Sequence, residues 1–136
     1  MEKQRMKPKR PGFSLMELMV VILIIALLAG VAIPLMKARV DRSKWTEANA
    51  VAGMIRNAVK TCYFQDGTAI TGSMDNPDNQ TALNMTDNDL TGTYFVPGDY
   101  EIVSVNADGI ATIKVTGSQS NAPSGSKILN PDGSFE

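Results

Sequence analysis

Residues 10–34, RPGFSLMELMVVILIIALLAGVAIP, limit what this chain can become more than any other stretch. An apolar run fills residues 18–33, one carboxylate (Glu17) stands just before it, and prolines flank it at Pro11 and Pro34. As a helix, residues 13–33 would be about 31 Å long at about 1.5 Å per residue, close to the thickness of a bilayer's hydrocarbon core. The stretch is therefore long and apolar enough to span a membrane.

Glu17 makes it an unusual span. An ionised carboxylate near the start of a membrane helix costs about 2 to 3 kcal/mol and persists when it has a partner. No Lys, Arg or His lies between Phe13 and Met36, so the same segment offers no cationic side chain. The partner is expected from another subunit, a lipid headgroup or a newly made amino terminus. Cleavage between Gly12 and Phe13 would create such a terminus, roughly one helical turn before Glu17.

With those residues in view, the segment Gly12-Phe13-Ser14-Leu15-Met16-Glu17, its apolar run and Pro34 resemble the cleavage signal and first helix of type IV pilins and type II secretion pseudopilins. The resemblance covers residues 10–34 and, more loosely, the helix that follows. It implies that a membrane aspartyl protease, the prepilin peptidase, cuts after Gly12 and methylates Phe13. It further implies that Glu17 is the acid needed for assembly and that Pro34 kinks the helix. Two residues depart from the family pattern. Pro11 replaces a more usual basic residue before the cut, which predicts slower cleavage. Ala26 stands where many pilins carry glycine, leaving residues 30–34 as the expected unwinding stretch.

Other readings of the same residues exist. Gly12 beside Pro11 would stop any upstream helix, and Pro34 would simply mark a helix end. A conventional secretory signal would use Gly30-Val31-Ala32 as its small-residue cleavage site, giving a non-polymerising exported or anchored binding protein. Hydrophobic regions of such signals run about 7 to 15 residues, shorter than this one.

Charge adds direction. The net charge is −1, but residues 1–12 carry Lys3, Arg5, Lys7, Lys9 and Arg10 against Glu2 alone, so the rest of the chain is acidic. Basic flanks stay in the cytoplasm, which predicts a cytoplasmic leader and an exported remainder. Lys37, Arg39, Arg42 and Lys44 at the other flank weaken that asymmetry.

At 136 residues the chain has room for a membrane segment and one small domain. The expected division is a leader over 1–12, a transmembrane or fibre-core helix over 13–36 and an exported domain over 37–136. Within the last, Ala48, Val51, Ala52, Ile55, Val59 and Cys62 recur at helical spacing, opposite Glu47, Asn49, Arg56, Asn57 and Lys60. This amphipathic helix is expected to end at Asp66-Gly67, where glycine suits a left-handed cap. Residues 67–92 read as a long irregular connection, with a short helical turn near 81–85. Short strands are expected at 93–96, 100–105 and 110–116, with a hairpin turn at Asn106-Ala107-Asp108-Gly109. From Gly117 the composition reads as a loose tail with a final edge strand near 127–129. The fold class is thus α+β, a long amino-terminal helix packed on a small antiparallel sheet.

Catalysis has little support. The chain contains no histidine, which removes His-based triads and the common zinc sites, so no enzyme activity is expected. Cys62 is the single cysteine and reads as a small core residue. Asp75, Asp78, Asp87 and Asp89 are hard ligands of the kind calcium takes, and some pseudopilins hold calcium in a loop. Asp87-Asn88-Asp89 with Gly92 imitates the start of an EF-hand, but Gly98 falls where that loop needs glutamate, so no cofactor or ligand set is assigned. The acidic mature chain lacks a basic stripe, so no nucleic-acid partner is expected. Trp45 with Arg42 and Lys44 reads as packing or as an interface anchor. Expected partners are prepilin peptidase, copies of the chain and related pilins, inner-membrane assembly machinery and membrane lipid. Expected locations are the inner membrane, then a periplasmic or surface filament.

Overall fold

The computed structural model describes residues 12–136; the basic residues 3–10 and Pro11 lie outside the described residues. The chain divides into two units, residues 1–38 and 39–136. Helix α1 (Leu15–Asp66) contributes to both and contains Pro34 within it. Proline removes one backbone donor and crowds the preceding turn, yet helical assignment passes through it.

In the first unit the large apolar side chains of α1 are exposed on every side, from Leu15 through Met36. This is the only helix among the described residues long and apolar enough to cross a membrane, and its apolar window is not buried in protein.

The second unit is an α+β domain in which α1 packs on a four-stranded sheet. Trp45, Ala48, Ala52, Ile55, Val59 and Cys62 are the buried residues of the helix, and their spacing of three and four puts them on one face. The sheet is an antiparallel meander of β1 (Gly72–Ser73), β2 (Tyr100–Val105), β3 (Ala111–Thr116) and β4 (Ser126–Leu129), in that order. Ala111, Ile113 and Val115 alternate inward along β3 and are fully buried, joined by Tyr100 and Ile102 of β2. Each buried Ile or Val contributes about 1.5 to 3 kcal/mol. The helix stripe and the sheet face thus share one core with Phe95, Met74 and Leu90.

Local chemistry fixes the boundaries. At the end of α1, Gly67 adopts φ 69° and donates its N–H to Tyr63 O at 2.9 Å, the left-handed cap that Asp-Gly predicts. The β2–β3 turn closes when Asn106 Oδ1 accepts the N–H groups of Asp108 and Ile110, with Gly109 at φ 70°.

Several segments differ from the sequence expectation. Residues 67–92 hold β1 and two short helices, α2 (Pro77–Ala82) and α3 (Asp87–Leu90), rather than one irregular loop. Asn76 caps α2 through Asp78 N–H, with Pro77 at the first helical position. Residues 93–96 are not a strand: a 3-10 turn, Pro97–Asp99, follows, and side chains rather than a ladder hold the segment. Glu47 Oε1 accepts Tyr94 N–H at 2.9 Å, and Asp99 accepts from Val96 N–H and Ser118 N–H. Glu47 and Arg56, read as solvent-facing, are half-buried tethers; Arg56 donates to Asn130 O at 3.2 Å.

Nor is the tail from Gly117 loose. Beyond β4, Ile128 and Glu136 exchange two backbone hydrogen bonds, 2.7 and 3.1 Å, and Leu129 bridges Phe135. Phe135 also packs edge-on to Trp45 with ring centres 6.0 Å apart, and Trp45 meets Phe95 at 5.3 Å. Trp45 is therefore a packing residue.

Candidate functional site

The segment singled out by the sequence lies at the start of α1. Gly12, Phe13 and Ser14 precede the helix, and all three are exposed. Among the described residues, no atom beyond its chain neighbours lies within 4 Å of where a Gly12 Cβ would stand. Phe13 is 81% exposed.

Ser14 turns the chain into the helix. Its carbonyl accepts Leu18 N–H at 3.2 Å, and its hydroxyl accepts Met16 N–H at 3.3 Å. Glu17 reaches back, its Oε2 accepting Ser14 N–H at 3.0 Å. The pair satisfies donors that every helix amino terminus leaves orphaned, and the helix dipole favours a carboxylate there. Glu17 thus has a partner inside its own chain, where the sequence reading looked for one elsewhere. The signal was present: Ser14-x-x-Glu17 is the spacing of a capping box.

From this cap the surface is almost wholly apolar. Phe13, Met16, Val20 and Val21 flank Glu17 along one side, and Met19, Ile22, Leu23 and Ala26 continue the hydrophobic surface. Such a surface suits lipid or the apolar helices of other subunits, and its one charged group among residues 13–36 is the carboxylate at the end. Gly30 and Pro34, twenty-one residues after Phe13, lie within the helix, and a Gly30 Cβ would also meet nothing within 4 Å.

The remaining candidates do not form a site. Among the described residues, no three His, Cys, Asp or Glu side chains come together to hold a metal. Asp87 instead accepts from Gln80 Nε2 at 2.7 Å, and Asp89 Oδ2 accepts from Thr86 N–H and Oγ1 at the start of α3. Those bonds hold the Asp89 carboxyl below its usual range. Cys62 is buried in the core, with its thiol 3.8 Å from Asp66 Oδ2; burial, then the Asp66 charge, pushes its pKa up and away from the reactive thiolate.

Comparison with known proteins points to the same amino-terminal segment. A family model described as the prokaryotic N-terminal methylation motif matches residues 7–33, which contain Gly12, Phe13, Glu17 and Gly30. The chain is 40% identical over 59 residues to a type IV major fimbrial protein, FimA, of Dichelobacter nodosus, covering 43% of this chain and 38% of that one. It is 42% identical over 62 residues to the fimbrial protein EcpC of Eikenella corrodens, covering 46% of this chain and 40% of the relative. The matched stretch thus spans about two fifths of each relative's length. The motif and the fimbrial relatives support the type IV pilin family for this chain, a family of structural fimbrial subunits and not of enzymes.

Proposed function

We propose that this chain is a structural subunit of a type IV pilus-like filament, made as a precursor and cut by prepilin peptidase between Gly12 and Phe13. The observation that carries the reading is the apolar helix itself: exposed on all sides, matched by the methylation motif, and interrupted only by Glu17 at its start. A soluble domain gains nothing from such a surface, whereas a membrane or a bundle of like helices buries it.

In this account the leader stays in the cytoplasm, residues 13–36 hold the subunit in the inner membrane, and residues 37–136 form the exported domain. Cleavage exchanges the Phe13 amide for a free amine, which is N-methylated and remains cationic. Glu17 then exchanges its bond with Ser14 N–H for a charge-assisted bond to the Phe13 amine of a neighbouring subunit, stronger in an apolar surround than in water. Repetition of one heterologous contact generates an open helix rather than a closed ring. Pro34 supplies the bend that lets the helix follow the fibre.

The fimbrial names of the relatives favour a surface filament over a secretion pseudopilus. The test is amino-terminal mass analysis of protein from membranes and sheared filaments. A terminus at methylated Phe13 supports the reading, and one at Ile33 supports conventional signal cleavage of a non-polymerising protein.

A further inference from the structure

Two asparagines that follow β1 stand in the acceptor pattern Asn-x-Thr: Asn79-Gln80-Thr81 and Asn84-Met85-Thr86. The pattern alone would treat them alike, but the fold does not. Both amide protons of Asn79 are in use, its Nδ2 donating to Thr71 O at 3.3 Å and Ser73 O at 2.9 Å, which ties α2 to β1. Asn84 is exposed on the turn after α2 at φ 50°, and among the described residues its side chain makes no hydrogen bond. Only its backbone is engaged, donating to Thr81 O at 3.1 Å. Beside it lies a recess of about 330 Å³ lined by Thr61, Gln65, Ala58 and Leu83, so no packed element covers the Asn84 side chain.

We propose that Asn84 is an N-glycosylation site, modified on the folded exported domain by transfer of a saccharide from a lipid-linked diphosphate donor. The bond formed joins Asn84 Nδ2 to the sugar's anomeric carbon. The bond broken joins that carbon to the diphosphate oxygen; the lipid diphosphate leaves, and the amide proton passes to a base of the transferase. No oxidant or reductant enters. Thr86, whose hydroxyl the transferase must engage, is exposed at the start of α3, a single turn of four residues that yields its Asp89 contact readily. Transfer before folding, from a soluble sugar donor in the cytoplasm, would meet both asparagines equally open.

The inference rests on the exported-subunit reading above, and one experiment separates the two. The protein is purified from the cells that make it, and its terminus and peptides are read by mass spectrometry, for wild type, Asn84→Gly, Thr86→Ala and Thr81→Ala. Glycine accepts the positive φ at position 84, so Asn84→Gly removes the acceptor without straining the turn. The expected result is a saccharide on the Asn84 peptide, lost in Asn84→Gly and Thr86→Ala and retained in Thr81→Ala, with Asn79 unmodified. A bare Asn84 in protein that begins at Phe13 overturns the proposal and leaves the filament reading standing. Equal occupancy of Asn79 and Asn84 overturns selection by the folded domain. A bare Asn84 in protein with another terminus counts against both.

Discussion

Ser14 N–H donates to Glu17 Oε2 at 3.0 Å, so the carboxylate that an apolar span would otherwise leave unpaired closes the first turn of its own helix. In an apolar surround this contact would lower the cost of carrying the acid, since a buried polar group costs less when it is hydrogen-bonded. In the proposed account, cleavage after Gly12 offers a stronger partner, the Phe13 amine of a neighbouring subunit, and the same side chain passes from capping to assembly.

That dual use separates two substitutions. Ser14→Ala removes the hydroxyl acceptor and costs about 1 kcal/mol of local helix stability, while leaving the Glu17 carboxylate available to an amine. Faster amide exchange at Met16 in micelles, with filament yield near wild type, is the expected outcome. Glu17→Leu keeps or improves insertion because the span becomes more apolar. Its filament yield falls steeply, since an amine left buried without its partner costs about 3 to 5 kcal/mol per contact. Equal loss of filaments in both variants would mean that Glu17 acts only as a cap.

Within residues 39–136, Glu47 and Gly92 form a second dependent pair. A Cβ at position 92 would collide with the Glu47 carboxylate, which is the group that accepts Tyr94 N–H. Gly92→Ala is expected to cost about 1 to 3 kcal/mol by overpacking. Glu47→Ala is expected to cost about 1 to 3 kcal/mol by orphaning that N–H. The double variant should lose less than the sum by about 0.5 to 3 kcal/mol, because each change removes the other's cause. Denaturant unfolding of the full chain in detergent gives all three values; strict additivity would place the two residues in separate environments.

Tyr100 carries a pH signature. Its hydroxyl is buried and, among the described residues, has no hydrogen-bond partner. Burial, then the negative charges of Glu47 and Asp99, raises its pKa above the ordinary 10.0. A raised folded-state pKa stabilises fully below the unfolded value and ceases to do so as pH climbs through the folded one, so the fold weakens in alkali. Tyr100→Phe should be neutral or slightly stabilising at pH 7, because no bond is lost. It should also show a shallower fall in thermal midpoint above about pH 10, where the unfolded tyrosine ionises and the folded one does not. Parallel curves for the two proteins would contradict this.

Periodicity made much of this fold readable. The inward stripe from Ala48 to Cys62 and the alternation of Ala111, Ile113 and Val115 are repeats of helix and strand that survive any loop arrangement. Asp66-Gly67 and Asn106 to Gly109 are turns whose chemistry is local. What escaped reading depends on distant partners. Residues 93–96 carry strand-like side chains but are claimed by Glu47, 47 positions away from Tyr94 in sequence. The edge strand near 127–129 was legible and is β4. Residues 130–136 look like a linker in composition, yet Phe135 packs on Trp45, which no local pattern reveals. At the amino terminus the methylation motif that spans residues 7–33 was legible as a pattern. The bond between Ser14 and Glu17 was overlooked because the acid was weighed as a membrane charge and not as a cap.

The measurement that bears most directly on the filament account is the intact mass of the chain in sheared filaments, sequenced from its first residue. The account predicts a chain beginning at Phe13 and one methyl group heavier than the unmodified peptide, present in the filament fraction and lost from it in Glu17→Leu. A chain that begins at Ile33, or that sediments in filaments with Gly12 still attached, would contradict it.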